Sequence, residues 1–156
     1  AFRKKVERYS EVRPPFKSPK SISSPNLSST PIPKLTDFGF EALQIDQRAA
    51  LPFKGGALEV WNRLEHYFWS SEQLSVYKET RNGLIGADYS SKFSPWLAHG
   101  CISARAIYDE VEKYESEVEK NDSTYWLKFE LLWRDFFKYT AMRNGNKIFQ
   151  ANGIKD

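Results

Sequence analysis

Phe129-Glu130-Leu131-Leu132-Trp133-Arg134-Asp135-Phe136-Phe137 sets a carboxylate, an indole and a guanidinium inside an otherwise apolar run. Glu130, Trp133, Arg134 and Phe137 stand at i, i+3, i+4 and i+7, so a helix carries all four on one face. The run extends in both directions. Trp126, Leu127, Phe129, Leu131, Leu132 and Phe136 lie nearly all round such a helix, which is therefore predicted to be buried on most sides. Asp122 or Ser123 is read as its N-cap, and it runs to about Arg143. A charged pair among aromatics is costly unless it is satisfied or used, so this face is the first place to look for function.

The segments upstream are also helical. Ala57, Trp61, Leu64 and Phe68 recur at i, i+4, i+7 and i+11, the stripe of an amphipathic helix. Residues 82–92, with Gly83 and Gly86, read as a loop. Ser94-Pro95 reads as a helix start, with a hydroxyl cap followed by proline at the first helical position, and Gly100 ends that short helix. Ser103 caps the next, with Ile107, Val111, Tyr114 and Val118 as its stripe. No strand pattern competes, so the globular part is predicted to be all-α. Residues 2–8 read as the end of a helix. Residues 14–36 are rich in Pro and Ser, a composition that cannot repay the entropy of ordering. Residues 37–53 are irregular, with Phe38, Phe40 and Leu43 as apolar anchors. The division expected is a largely irregular connector over 1–53 and a helical domain over 54–156.

Composition narrows the classes. The chain has 156 residues, with 15% aromatics that include 5 Trp and 11 Phe, so many rings must pack together or offer flat faces to a ligand. The net charge is +3, of which residues 1–20 carry +5, leaving −2 for the rest. That balance argues against a helical nucleic-acid module with a broad basic face. A single cysteine, Cys101, excludes an internal disulfide framework and fits a reducing compartment. The chain opens on Ala with no apolar signal region, and no run approaches a membrane span, so a soluble intracellular protein is expected. His66 and His99 lack companions at metal-ligand spacing, no metal site is expected, and His66 reads as a helix-surface residue.

Two constellations could carry chemistry. Tyr77 and Arg81 precede the loop that ends in Ser90-Ser91-Lys92-Phe93-Ser94, whose hydroxyls, ammonium and backbone N–H groups suit a phosphate. The plainer reading is serines capping a helix and a solvated lysine. The second is the Glu130/Trp133/Arg134/Phe137 face. It reads either as an i, i+4 ion pair among core aromatics or as a cavity wall where Trp133 stacks on a flat ligand and Glu130 accepts a hydrogen bond.

Taken together, YKETRNGLIGADYSSKFSPWLAHGCIS (77–103) and STYWLKFELLWRDFFKY (123–139) resemble the flavin-binding domain of the photolyase/cryptochrome family, in wording most similar to the DASH type. The resemblance covers about residues 54–150, and residues 1–16 are similar to the end of that family's interdomain segment. It implies an all-helical domain binding FAD. Tyr77, Ser90, Ser91, Lys92, Phe93, Ser94 and Arg134 would bind the cofactor. Arg81, Glu130, Trp133 and Phe137 would contact DNA, with Glu130 hydrogen-bonding a flipped pyrimidine dimer and Trp133 stacking on it. The implied reaction is light-driven electron transfer from reduced FAD that splits cyclobutane dimers, with single-stranded DNA preferred and the protein monomeric. The alternative is a blue-light photoreceptor of the same fold without repair.

Two positions depart from the family wording: His99 stands where leucine is usual, and Ala104 where proline is. The α/β domain with its folate-type antenna site and the family's tryptophan relay have no counterpart in these residues. The 156 residues alone are therefore expected to be inactive and marginally stable.

Overall fold

The computed structural model describes residues 2–23, 25, 30–41 and 44–154. Among them there are helices and turns but no strand, as the apolar periodicity requires. Two units form. The first comprises residues 1–15 and 54–156, the second residues 16–53.

In the first unit, α1 is Phe2–Tyr9, α2 Ala57–Glu65, α3 Tyr77–Thr80, α4 Ser94–Ala98, α5 Ala104–Glu117 and α6 Asp122–Asn144. A π-helical turn, His66–Ser70, continues α2. The core face of α2 differs from the stripe expected. Trp61 is exposed, and the buried positions are Val60, Arg63 and Leu64, followed by Tyr67 and Phe68 in the π turn. Both sets satisfy a helical period, and the choice falls to the set that meets Phe93 and Tyr114. The Phe68 ring lies 5.9 Å from Phe93 and 6.3 Å from Tyr114, both edge-on, the favoured geometry for packed aromatics.

The start of α4 is shifted by one residue from the expected cap. Phe93 occupies the N-cap, Ser94 is the first helical residue, and no side chain caps the turn. Ser103 does cap α5, accepting from the Ala106 N–H at 3.1 Å, and Ala104 opens that helix without strain. Ile107, Val111 and Tyr114 are buried as expected, whereas Val118 is exposed at the end of α5. The cap of α6 is Asn121, in place of Asp122 or Ser123. Its Oδ1 accepts from the N–H groups of Ser123 and Thr124 at 2.9 and 3.0 Å. Ser123 is instead buried, accepting from the Lys78 N–H and donating to Glu79, which ties α3 to α6.

Helix α6 is less covered than its composition led us to expect. Only Ser123, Thr124, Leu127 and Leu131 are buried, a single stripe facing the other helices, while Tyr139 and Met142 stand exposed. Helix α1 covers part of the opposite side, with the Phe2 ring 5.5 Å from Phe136 and Glu7 accepting from the Tyr125 hydroxyl at 2.6 Å. Glu115 and Lys128 join α5 to α6 at 2.8 Å with both side chains largely buried.

The second unit is mostly irregular. It contains a 3₁₀ turn, Leu35–Phe38, closed by the Lys34 N–H donating to Asp37 Oδ2 at 2.7 Å. Phe38 and Phe40 are exposed there, against the expectation that they serve as apolar anchors, and Leu43 lies outside the described residues.

Candidate functional site

The segment between α3 and α4 takes its shape from a residue on α2. Arg63, only 6% exposed, points its guanidinium at residues 87–91. Nε donates to Ser91 O at 3.1 Å, Nη2 to Ala87 O and Ser90 O at 3.0 Å each, and Nη1 to Asp88 Oδ1 at 2.6 Å. His66 Nε2 lies 3.2 Å from the other Asp88 oxygen, so His66 is on the surface but has a partner. Burial alone would push the Asp88 carboxyl up. The hydrogen bonds from Arg63 and His66 outweigh it and hold the carboxyl below its usual range.

The loop is tightened further at two points. A Cβ on Gly83 would meet Tyr89 Cβ at 2.9 Å, so only glycine fits there. Lys92 has φ of 59°, a left-handed conformation that costs a non-glycine residue about 1–2 kcal/mol. Its ammonium lies 3.5 Å from the centre of the Tyr89 ring, a cation–π contact. Phe93, the next residue, is buried between Tyr67 and Phe68 and clamps the end of the loop to the core.

A cleft of about 530 Å³ opens beside this loop. Ser90, Ser91, Lys92, Phe93 and Ser94 line one side, Tyr77 and Arg81 a second, and Glu130 and Arg134 of α6 a third. The charged groups on its wall are three cations and one carboxylate, a net positive lining. Glu130 pairs with Arg81, not with Arg134 one turn away: Arg81 Nη1 donates to Glu130 Oε1 at 2.5 Å. The Arg81 guanidinium also lies 5.2 Å from the centre of the Trp126 ring. Arg134 is left near Asp135 at 3.5 Å, both half-exposed. Tyr77 is buried, and burial, with the Glu130 charge second, pushes its phenol up to about 12. It is thus a neutral hydroxyl throughout the ordinary pH range.

The single helix face read for Glu130, Trp133, Arg134 and Phe137 divides in three dimensions. Trp133 turns from the cleft to a neighbouring apolar hollow of about 380 Å³ with Phe2, Phe129 and Phe136. Its ring stacks on Phe137 at 5.5 Å and 26°, with Trp133 39% and Phe137 61% exposed. Helix α4 has only five residues, so its dipole adds little to the anion attraction expected at Ser94. His99 is exposed at the C-cap of α4. Among the described residues no group of three or more His, Cys, Asp or Glu side chains could hold a metal ion, and no helix is long and apolar enough to cross a membrane.

Arg63, Asp88 and His66 were missing from the residues read as functional. The signal was present for one of them: Val60, Arg63, Leu64 and Tyr67 keep the i, i+3, i+4, i+7 spacing, and an arginine inside a core stripe needs buried acceptors. Nothing local shows that these acceptors are carbonyls more than twenty residues away.

Helices of this order around such a cleft define a class, and comparison with known proteins identifies it. No protein-family model matches the chain. It is 51% identical over 157 residues to Cryptochrome DASH of Danio rerio, covering 99% of this chain and 30% of that protein. It is 49% identical to Cryptochrome DASH of Synechocystis sp., covering 98% of this chain and 32% of the relative. With Cryptochrome DASH, chloroplastic/mitochondrial, of Solanum lycopersicum the identity is 46%, over 97% of this chain and 26% of that protein. A crystal structure of Synechocystis cryptochrome superposes with a TM-score of 0.88 at 51% identity, over 98% of this chain and 32% of that one.

The chain belongs to the photolyase/cryptochrome family, in which its all-helical architecture matches a solved member. Within that family these relatives are cryptochromes of the DASH type, and the chain spans about 30% of their length.

Proposed function

We propose that the cleft receives the phosphate side of FAD, and that the protein uses the flavin for blue-light-driven splitting of cyclobutane pyrimidine dimers in single-stranded DNA. One observation carries this reading: the Ser90–Ser94 loop, Tyr77 and Arg134 converge on a single cleft whose rim holds Arg81 and Glu130. The donor set suits the group. Hydroxyls, an ammonium and a guanidinium are partners for a diphosphate, and the net positive wall favours its charge.

When bound, FAD would supply the light-driven electron transfer. The chain's own residues have other tasks. Lys92 and Arg134 neutralise phosphate oxygens, and Ser90, Ser91 and Ser94 donate to them. Tyr77, kept neutral by burial, donates a hydrogen bond without adding a negative charge beside the anion. Glu130 accepts from the N–H of an extruded base, and Arg81 orients its carboxylate. Trp133 and Phe137 offer stacked, partly exposed rings on which an unpaired base can lie.

The test is blue-light-dependent repair of a thymine-dimer-bearing single-stranded oligonucleotide by the full reading frame. Repair by the wild type that is lost in Glu130→Ala and Trp133→Ala, with FAD retained, is the expected result. Bound FAD without repair would move the assignment to a photoreceptor. Absence of bound flavin would overturn the cofactor reading.

A further inference from the structure

We propose that Arg63 is a positioning residue of the phosphate loop: it touches no ligand, but it holds residues 87–92 in the conformation that receives an anion. This inference rests on the reading that the cleft takes a diphosphate.

The geometry is specific. All four of the Arg63 hydrogen bonds given above end within the five residues 87–91, and three of them end on main-chain carbonyls. The loop has no cis peptide, and across a trans peptide the carbonyl and the next N–H point in opposite directions. Drawing the carbonyls of Ser90 and Ser91 onto the guanidinium therefore turns the N–H groups of Ser91 and Lys92 away from it. Two consequences favour an oxyanion. The negative ends of these peptide dipoles are sequestered on Arg63, and the positive ends are left free on the other side of the loop. Among the described residues, no hydrogen bond uses the N–H of Ser91 or Lys92. The left-handed φ of Lys92 is a conformation that persists only when its surroundings impose it. Arg63 on one side and buried Phe93 on the other do so.

Lysine cannot replace this arginine. A planar fork reaches three carbonyls and a carboxylate at fixed angles, whereas an ammonium offers three donors from one point. Asp88 completes the device by compensating the buried charge, and His66 holds the second Asp88 oxygen.

The experiment titrates FAD, and separately riboflavin, into the full-length protein and its Arg63→Gln, Arg63→Lys and Asp88→Asn variants. Riboflavin shares the flavin ring and ribityl chain but has no phosphate. Arg63→Gln is expected to weaken FAD about tenfold or more, Arg63→Lys nearly as much, and Asp88→Asn about threefold, with riboflavin affinity unchanged. If the Arg63 variants do not fold, Asp88→Asn carries the test. Unchanged FAD affinity in the folded variants, or equal loss of FAD and riboflavin, would overturn the positioning role. A wild type that binds no FAD would overturn the cofactor reading instead, and inorganic pyrophosphate would then decide the matter. Pyrophosphate bound by wild type and lost in Arg63→Gln upholds positioning, while none bound by wild type removes it.

Discussion

Arg81, the C-cap of α3, holds Glu130 on α6 through an Nη1···Oε1 contact of 2.5 Å at the cleft, with the two side chains 27% and 32% exposed. This pairing joins two of the four residues read as DNA contacts to each other. A pair so placed is partly screened, so its contribution to stability is small, and its value lies in fixing where the carboxylate points.

A double-mutant cycle on Arg81→Ala and Glu130→Ala, measured by urea unfolding, is therefore expected to give a coupling of only about 0.5–1 kcal/mol, smaller at high salt. In the repair assay, by contrast, Glu130→Gln should lower repair by about tenfold or more, because a charged acceptor is replaced by a neutral amide where a base must bind. A coupling of several kcal/mol would make the pair structural.

Tyr77 leads to an alkaline prediction. Burial, then the Glu130 charge, raises its phenol to about 12 in the folded protein, against about 10 in an unfolded chain. A raised folded value means that the contribution to stability is complete below pH 10 and is lost as pH rises through 12. Tyr67 shifts in the same direction through burial. Absorbance near 295 nm should show these phenols titrating only as the fold opens, and Tyr77→Phe should flatten the loss of stability between pH 10 and 12. Free titration near pH 10 would contradict the burial argument.

Asp88 behaves in the opposite sense. Its carboxyl is held below the usual range because bonds to Arg63 and His66 outweigh the cost of burial. Its contribution is present above an unfolded value of about 3.9 and fades as pH falls through the lower folded one. The NMR chemical shifts of residues 87–92 should move toward random-coil values below about pH 4, ahead of those of α5 and α6. In Asp88→Asn the same shifts should already be displaced at neutral pH.

Glu115 and Lys128 are 8% and 13% exposed and 2.8 Å apart. Removing one partner leaves a buried charge, so Lys128→Met is expected to cost about 3 kcal/mol or more, and adding Glu115→Leu should recover most of that. Thermal unfolding of the two variants checks it. A double variant no better than the single would mean that the pair is needed for more than its own compensation.

The all-α class and the helices around Ile107 and the Glu130 stretch were determined by the sequence itself, because apolar period and capping chemistry are local properties. So were the Ser90–Ser94 loop and Tyr77 as candidates, since their wording is long and ordered. Tertiary structure decided which of two valid stripes on α2 turned inward, and with it that Arg63 is buried. It also decided that Glu130 pairs with Arg81 at the end of α3, and that Trp133 leaves the Glu130 face for Phe2 and Phe136. Each of these depends on what lies opposite a helix face, which periodicity cannot specify. An arginine's partners are chosen by the backbone brought within its reach, and here that backbone is the loop on which the candidate site is built.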